Sequence, residues 1–238
     1  MRRVAALALA LVLPVAVAQA SGPRLTVFAA ASLAEALPRI DAAERYSFSG
    51  SDQLAFQIRQ GATADVYAAA SPKYPQELYK DGLVAKPVTF ATNRLVVIVP
   101  RANPARIRSV YDLRRDGIKL VIGAKGVPIG DYTRTVLDRL GLSDALGNVV
   151  SEETDVKLIA GKVALGEADA GFVYRTDARP IVGKVIQLAI PSKAQPPVEY
   201  QIAVVAASHH KTAAGAFVRR LLSPRSRAML RAAGFGLP

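Results

Sequence analysis

Residues 25–37, LTVFAAASLAEAL, restrict the fold of this chain most. The apolar run at 25–29 carries β-branched residues and predicts a strand. Leu33, Ala36, Leu37 and Ile40 then recur at i, i+3, i+4 and i+7, the spacing of one helical face. The Ala-Ala-Ser between them leaves room only for a tight turn. Ser32 stands where a helix N-cap belongs, since its hydroxyl can accept from an orphan backbone N–H. A strand feeding a helix through such a turn aims free N–H groups and the positive helix end at one point, which favours an anion. A plain capping role would also account for Ser32, so the turn needs company before it means a site.

The start of the chain is a separate unit. Arg2 and Arg3 precede an apolar run from residue 4 to 17, followed by Ala18-Gln19-Ala20. A charged segment, an apolar segment and a small-x-small end predict a signal peptide cut after Ala20. The run is too short to span a bilayer comfortably. The chain of 238 residues has no cysteine, so neither a lipid-modified cysteine at the cut nor a disulfide framework nor a thiolate metal site is available. Removing Arg2 and Arg3 from the 31 basic residues leaves 29 against 19 acidic ones, a net charge of +10. Those charges are scattered, with no dense Lys/Arg run and no basic–aromatic interleaving, so nucleic acid is not indicated as a partner.

The remainder alternates short apolar runs with helical periods. A strand at 46–51 runs into Ser51, which precedes a helix at 52–60 stopped by Gly61 and repeats the logic of Ser32. Strands are predicted at 64–70, 95–100, 120–124, 170–174, 185–190 and 200–206. Helices are predicted at 71–79, 131–140, 155–165, 211–222 and 224–232. Thr154 is expected to cap the helix at 155–165. Ser109 and Asp112 have the spacing of a capping box on a short helix. The run LVVIVP at 95–100 is apolar throughout, as in a parallel strand covered on both faces. Alternation of this kind means α/β with mostly parallel sheets.

Most enzyme chemistries lack their residues. The two histidines, His209 and His210, are adjacent near the end of the chain. There is no G-x-S-x-G elbow, no P-loop, no G-x-G-x-x-G and no H-x-x-x-H. Four strand-to-helix turns remain: Ser32, Ser51, residues 127–130 (VPIG) and residues 154–156 (TDV). Ligands of open α/β sheets sit beyond the carboxyl ends of strands at such turns. Tyr174, ending the run AGFVY, can add a phenol donor. Together they describe a concave anion site made of helix N-termini and hydroxyls.

The motifs VFAAASL (27–33), SGSDQLA (49–55), ADVYAAAS (64–71), VPIGDY (127–132), TDV (154–156), AGFVYRTDA (170–178) and VEYQIAVV (198–205) resemble, as a set, the periplasmic molybdate-binding family of ABC importers. The resemblance covers roughly residues 25–237. It implies a two-lobed periplasmic binding protein of type II, with residues 21–92 and 202–238 in the first lobe, 93–201 in the second, and the ligand cleft between. It places ligand donors on Ser32, Ser51, Ile129, Val156 and Tyr174: hydroxyl and backbone groups of the serines, the backbone N–H of Ile129 and Val156, and the Tyr174 hydroxyl. Ile129 is bulkier than the small residue common there. No cofactor is implied. The expected ligand is molybdate, with tungstate, and the expected partner is the membrane permease of the importer. A monomer free in the periplasm is expected. Another tetrahedral oxyanion such as sulfate is the near alternative. A hydrolase using Ser32 or Ser51 is the alternative of a different class, and it lacks a base; an effector-binding module of a regulator fits poorly with a signal peptide.

Overall fold

The structure, a computed structural model, describes residues 22–238. The expected signal peptide at 1–20 lies outside the described residues. In chain order the elements are β1 (Thr26–Ala30), α1 (Leu37–Ile40), β2 (Arg45–Ser49), α2 (Ser51–Arg59), β3 (Val66–Ala69), α3 (Lys73–Lys80) and β4 (Val88–Asn93). There follow β5 (Leu95–Pro100), β6 (Leu120–Gly123), α4 (Pro128–Arg139), β7 (Val149–Glu153), α5 (Val156–Leu165), β8 (Ala170–Tyr174), α6 (Arg175–Ala178) and β9 (Val185–Ala189). The chain closes with β10 (Val198–Val204), α7 (Lys211–Leu221) and α8 (Pro224–Ala233).

The strands form two five-stranded sheets, ordered β2-β1-β3-β10-β4 and β7-β6-β8-β5-β9. The two-lobed α/β architecture is therefore as expected. Each sheet is mostly parallel, as expected, with one strand reversed: β10 runs against β3 and β4, and β5 runs against β8 and β9, while the other four strands of each sheet share a direction. The fully apolar β5 had suggested a parallel strand, but burial on both faces comes from the helices that cover a sheet, not from strand direction. Two strands were not foreseen. β4 reads VTFATN and β7 reads VVSEE, and their polar residues hide the β pattern.

The chain leaves the first sheet after Asn93 and re-enters it at Val198, where β10 begins. The return into the first lobe thus falls at Val198 rather than 202, because strand pairing keeps β10 in one sheet. The helix expected from Leu33 to Ile40, which Pro38 should kink or shorten, is broken. A 3-10 turn at Ala31–Leu33 is followed by the four-residue α1. Pro38 sits in the first turn of α1, where its missing N–H costs nothing; deeper in a helix its ring would clash with the carbonyl of residue 34.

Parallel pairing aligns the carboxyl ends of the strands that matter. Ala30 of β1 lies beside Ser49 of β2, and Ala29 beside Ala68 of β3. In the other sheet Gly123 of β6 lies beside Glu153 of β7, and Val121 beside Gly171 of β8. The turns after these strands therefore gather at one edge of each sheet. Gly123 and Gly130 let the start of α4 press against the end of β6, since a Cβ on Gly130 would collide with the carbonyls of Gly123 and Ala124.

Candidate functional site

Those turns surround a small cavity, open on one side to solvent and lined by residues of both lobes. Ser32, Ser51, Ile129, Val156 and Tyr174, the five residues singled out from sequence, all lie on its wall. The first two come from the first sheet, the other three from the second.

Each is held in place by local backbone chemistry, though not always by the expected one. Ser32 is not a helix cap: it lies inside the 3-10 turn, and its Oγ is 2.9 Å from the hydroxyl of Tyr200. Ser51 is not a cap either. Gly50 holds the N-cap position of α2 and Ser51 is its first helical residue. Its Oγ accepts from the backbone N–H of Ala70 at 3.1 Å. Thr154 does not cap α5; the neighbouring Asp155 does, its Oδ1 accepting from the N–H groups of Lys157 (2.7 Å) and Leu158 (3.2 Å). The carboxylate is better suited than a hydroxyl to the positive end of the helix.

The capping pattern decides which N–H groups remain for a ligand. The first N–H groups of a helix have no partner inside it. No side chain caps α2 or α4, so the N–H groups of Ser51 and Ile129 stay free of such a partner. In α5 the cap takes Lys157 and Leu158 and leaves Val156, the first helical residue. Three helix N-termini, of nine, twelve and ten residues, thus converge on the cavity with donors outward.

Tyr174 is the most telling member. Its side chain is 1% exposed, and its hydroxyl is buried without a hydrogen-bond partner. A buried polar group left in that condition costs about 1–3 kcal/mol, so the arrangement calls for an acceptor in the cavity. Burial raises its pKa well above the usual 10, so the phenol keeps its proton and is a donor at neutral pH. Its ring packs edge-on against Tyr200, centroids 5.9 Å apart.

The wall carries no Lys, Arg or His. Its one carboxylate, Asp155, is engaged as the α5 cap. The nearby cations have other partners. Arg134 donates to the carbonyls of Gly123 (2.9 Å) and Gly130 (3.1 Å), and Arg175 to that of Gly234 (2.8 Å). Lys157 lies 3.3 Å from Asp177 and 3.7 Å from Glu35, the latter across the cleft. Tyr74 also crosses it, donating to the carbonyl of Gly126 at 2.5 Å. Asp177 is wholly buried, and burial, opposed by Lys157, pushes its carboxyl up to about 6. Among the described residues no group of three or more His, Cys, Asp or Glu could hold a metal ion, and no helix is long and apolar enough to cross a membrane.

Sequence reading missed Asn93, Thr176 and Tyr200, which support Ser32 from behind. It also missed Gly50, whose Cα faces the Thr154 carbonyl across the cleft so closely that a Cβ would collide with it. Gly50 had a signal, the Ser-Gly-Ser turn; the other three had none at short range.

The comparisons with known proteins fit this geometry. The molybdate-binding protein ModA of Mycobacterium tuberculosis (strain H37Rv) is 38% identical over 224 residues, covering 90% of this chain and 85% of that protein. The molybdate-binding protein ModA of Escherichia coli (strain K12) is 30% identical over 230 residues, covering 89% and 88%. The solved periplasmic molybdate-binding protein of Azotobacter vinelandii superposes with a TM-score of 0.82 at 25% identity, covering 90% of this chain and all of that one. The family model for bacterial extracellular solute-binding proteins matches residues 17–236. With a model that spans both lobes and a cleft walled by both, the chain belongs to the bacterial extracellular solute-binding protein family.

Proposed function

We propose that this protein captures molybdate, and tungstate with it, outside the cytoplasm and delivers it to the membrane permease of an ABC importer. The single observation that carries the reading is the buried, unpartnered Tyr174 hydroxyl, set in a wall of neutral donors at three helix N-termini. Such a wall suits a fully deprotonated tetrahedral dianion, whose oxygens all accept. The donors would be the hydroxyls of Ser32, Ser51 and Tyr174 and the backbone N–H groups of Ser51, Ile129 and Val156. Only the backbone of Ile129 is used, so its bulk shapes the wall without removing a donor. An anion bonded from both lobes stabilises the closed arrangement over an open one by the difference in contacts. The names of the relatives point to molybdate rather than sulfate; the donor set alone accepts either.

Catalysis is not part of the reading. A serine nucleophile needs a base within reach. Ser32 and Ser51 instead have a phenol and a backbone amide beside them. Export through the signal peptide at 1–20 belongs to the same proposal, and the intact mass of the exported protein, beginning at Ser21, checks it.

The test is calorimetry and thermal unfolding with molybdate, tungstate, sulfate and phosphate. Molybdate at about 100 times its Kd should add about 2.7 kcal/mol of stability. Tungstate should match it and phosphate should bind far more weakly. Preference for phosphate, or no response to any oxyanion, overturns the reading; preference for sulfate leaves the site and replaces the ligand.

A further inference from the structure

We propose that Asn93 and Tyr200 form a hydrogen-bond relay that fixes the Ser32 hydroxyl as a donor into the cavity, making them positioning residues that set which protonation state of an anion the site takes. The inference rests on the oxyanion reading above and adds the residues that enforce it.

The direction of every bond in the relay follows from one fixed point. The backbone N–H of Arg94 can only donate, and it donates to Asn93 Oδ1 at 2.9 Å. The amide of Asn93 is thereby oriented, and its Nδ2 must face the other way. Nδ2 has two protons and two partners, Thr176 Oγ1 at 2.9 Å and the Tyr200 hydroxyl at 3.3 Å. The Tyr200 oxygen therefore accepts from Asn93 and has one proton left to give. Its remaining neighbour is Ser32 Oγ at 2.9 Å. Ser32 then accepts from Tyr200, and its own proton is left to point elsewhere, with the cavity before it. Tyr200 is fully buried and burial keeps its phenol protonated, so the chain does not reverse by ionisation.

The relay also has a place in the architecture. Asn93 ends β4 and Arg94 begins the crossover to the second sheet, while Thr176 lies in α6 of the second lobe. Tyr200 and Ser32 belong to the first lobe. The amide that orients Ser32 is thus held from both lobes at the point where the chain passes between them. Ser51 is polarised in a simpler way, since its Oγ accepts from the Ala70 N–H. In each serine one lone pair is taken from behind, and the proton is free to face the cavity. An anion that carries its own O–H meets a donor facing a donor.

The test compares molybdate and phosphate by calorimetry at mildly alkaline pH, where molybdate and hydrogen phosphate carry the same double charge. The ratio of their Kd values then cancels changes in overall charge and packing. Tyr200→Phe removes the bond that occupies Ser32 Oγ and frees the hydroxyl to turn. Asn93→Asp replaces Nδ2 by an acceptor, so Tyr200 donates to it and Ser32 must donate to Tyr200. In both variants the preference for molybdate should fall at least about tenfold, with phosphate binding improved relative to molybdate. Ligand-free unfolding is measured alongside, and if Asn93→Asp fails to fold, Tyr200→Phe decides. A ratio unchanged within about twofold in the folded variants, even with weaker absolute binding, overturns the relay and leaves the oxyanion reading intact. A parent protein that binds neither anion overturns both.

Discussion

Replacing Tyr174 by Phe removes one oxygen from the cavity wall and leaves the ring, its buried volume and its edge-on contact with Tyr200 in place. The lost oxygen is buried and has no partner in the protein. With an anion bound, it becomes a hydrogen bond to a charged acceptor, a contact worth about 1.5–3 kcal/mol. Molybdate affinity should therefore fall roughly ten- to a hundred-fold. Without ligand the sign reverses. A buried hydroxyl lacking a partner costs about 1–3 kcal/mol, and the phenyl ring does not carry that cost. The ligand-free variant should unfold at or above the temperature of the parent. At a fixed excess of molybdate the ligand-induced rise in midpoint should shrink by roughly 3–12 °C, taking about 2–4 °C per kcal/mol for a chain of this size. Calorimetry gives the affinity and a thermal scan with and without molybdate gives both signs. Parental affinity in Tyr174→Phe would mean the phenol does not face the ligand. A ligand-free variant clearly less stable than the parent would mean the hydroxyl has a structural partner after all.

Alanine at Lys125, Arg134, Lys157 and Arg175, singly, should change molybdate affinity by less than about threefold, or about 0.7 kcal/mol, because the cavity wall holds no cation and three of these side chains have partners elsewhere; a loss of orders of magnitude in any titration would expose a charged contact. Gly50→Ala should weaken binding by at least about tenfold with circular dichroism unchanged, since the new Cβ must push the Thr154 carbonyl away across the cleft; parental affinity would show that the approach yields freely. Asp177 keeps its proton up to about pH 6 in the folded protein, whereas an unfolded aspartate loses it near 4. Between those values the folded state holds the extra proton, so this group makes stability decline as pH rises from about 4 to about 6, by roughly 2–3 kcal/mol. Asp177→Asn should remove that decline, and chemical denaturation of both proteins across this range checks it; identical slopes would refute the buried carboxyl as its source.

Much of the site was legible because helix starts are local events. A strand end, a small-residue turn and a helical period within ten residues locate a set of free N–H groups, and the turns at Ser32, Ser51, 127–130 and 154–156 were all found this way. The same locality explains the small errors. Thr and Asp one position apart can each serve as a cap, and which of Thr154 and Asp155 does so depends on backbone angles that composition does not reveal. Pro38 announced the break in the first helix but not the 3-10 turn that replaces it. Two things were decided only by the folded chain. Strand direction is one: β5 is as apolar as a parallel strand yet runs antiparallel, because direction follows the path of the chain and hydrophobicity records burial alone. The other is the proton order behind Ser32, which links residues 168 positions apart through Tyr200 and is anchored by an amide at the crossover. Hydrogen bonds of that span leave no period or spacing in a sequence, since each partner satisfies only the general demand that a buried polar group be paired.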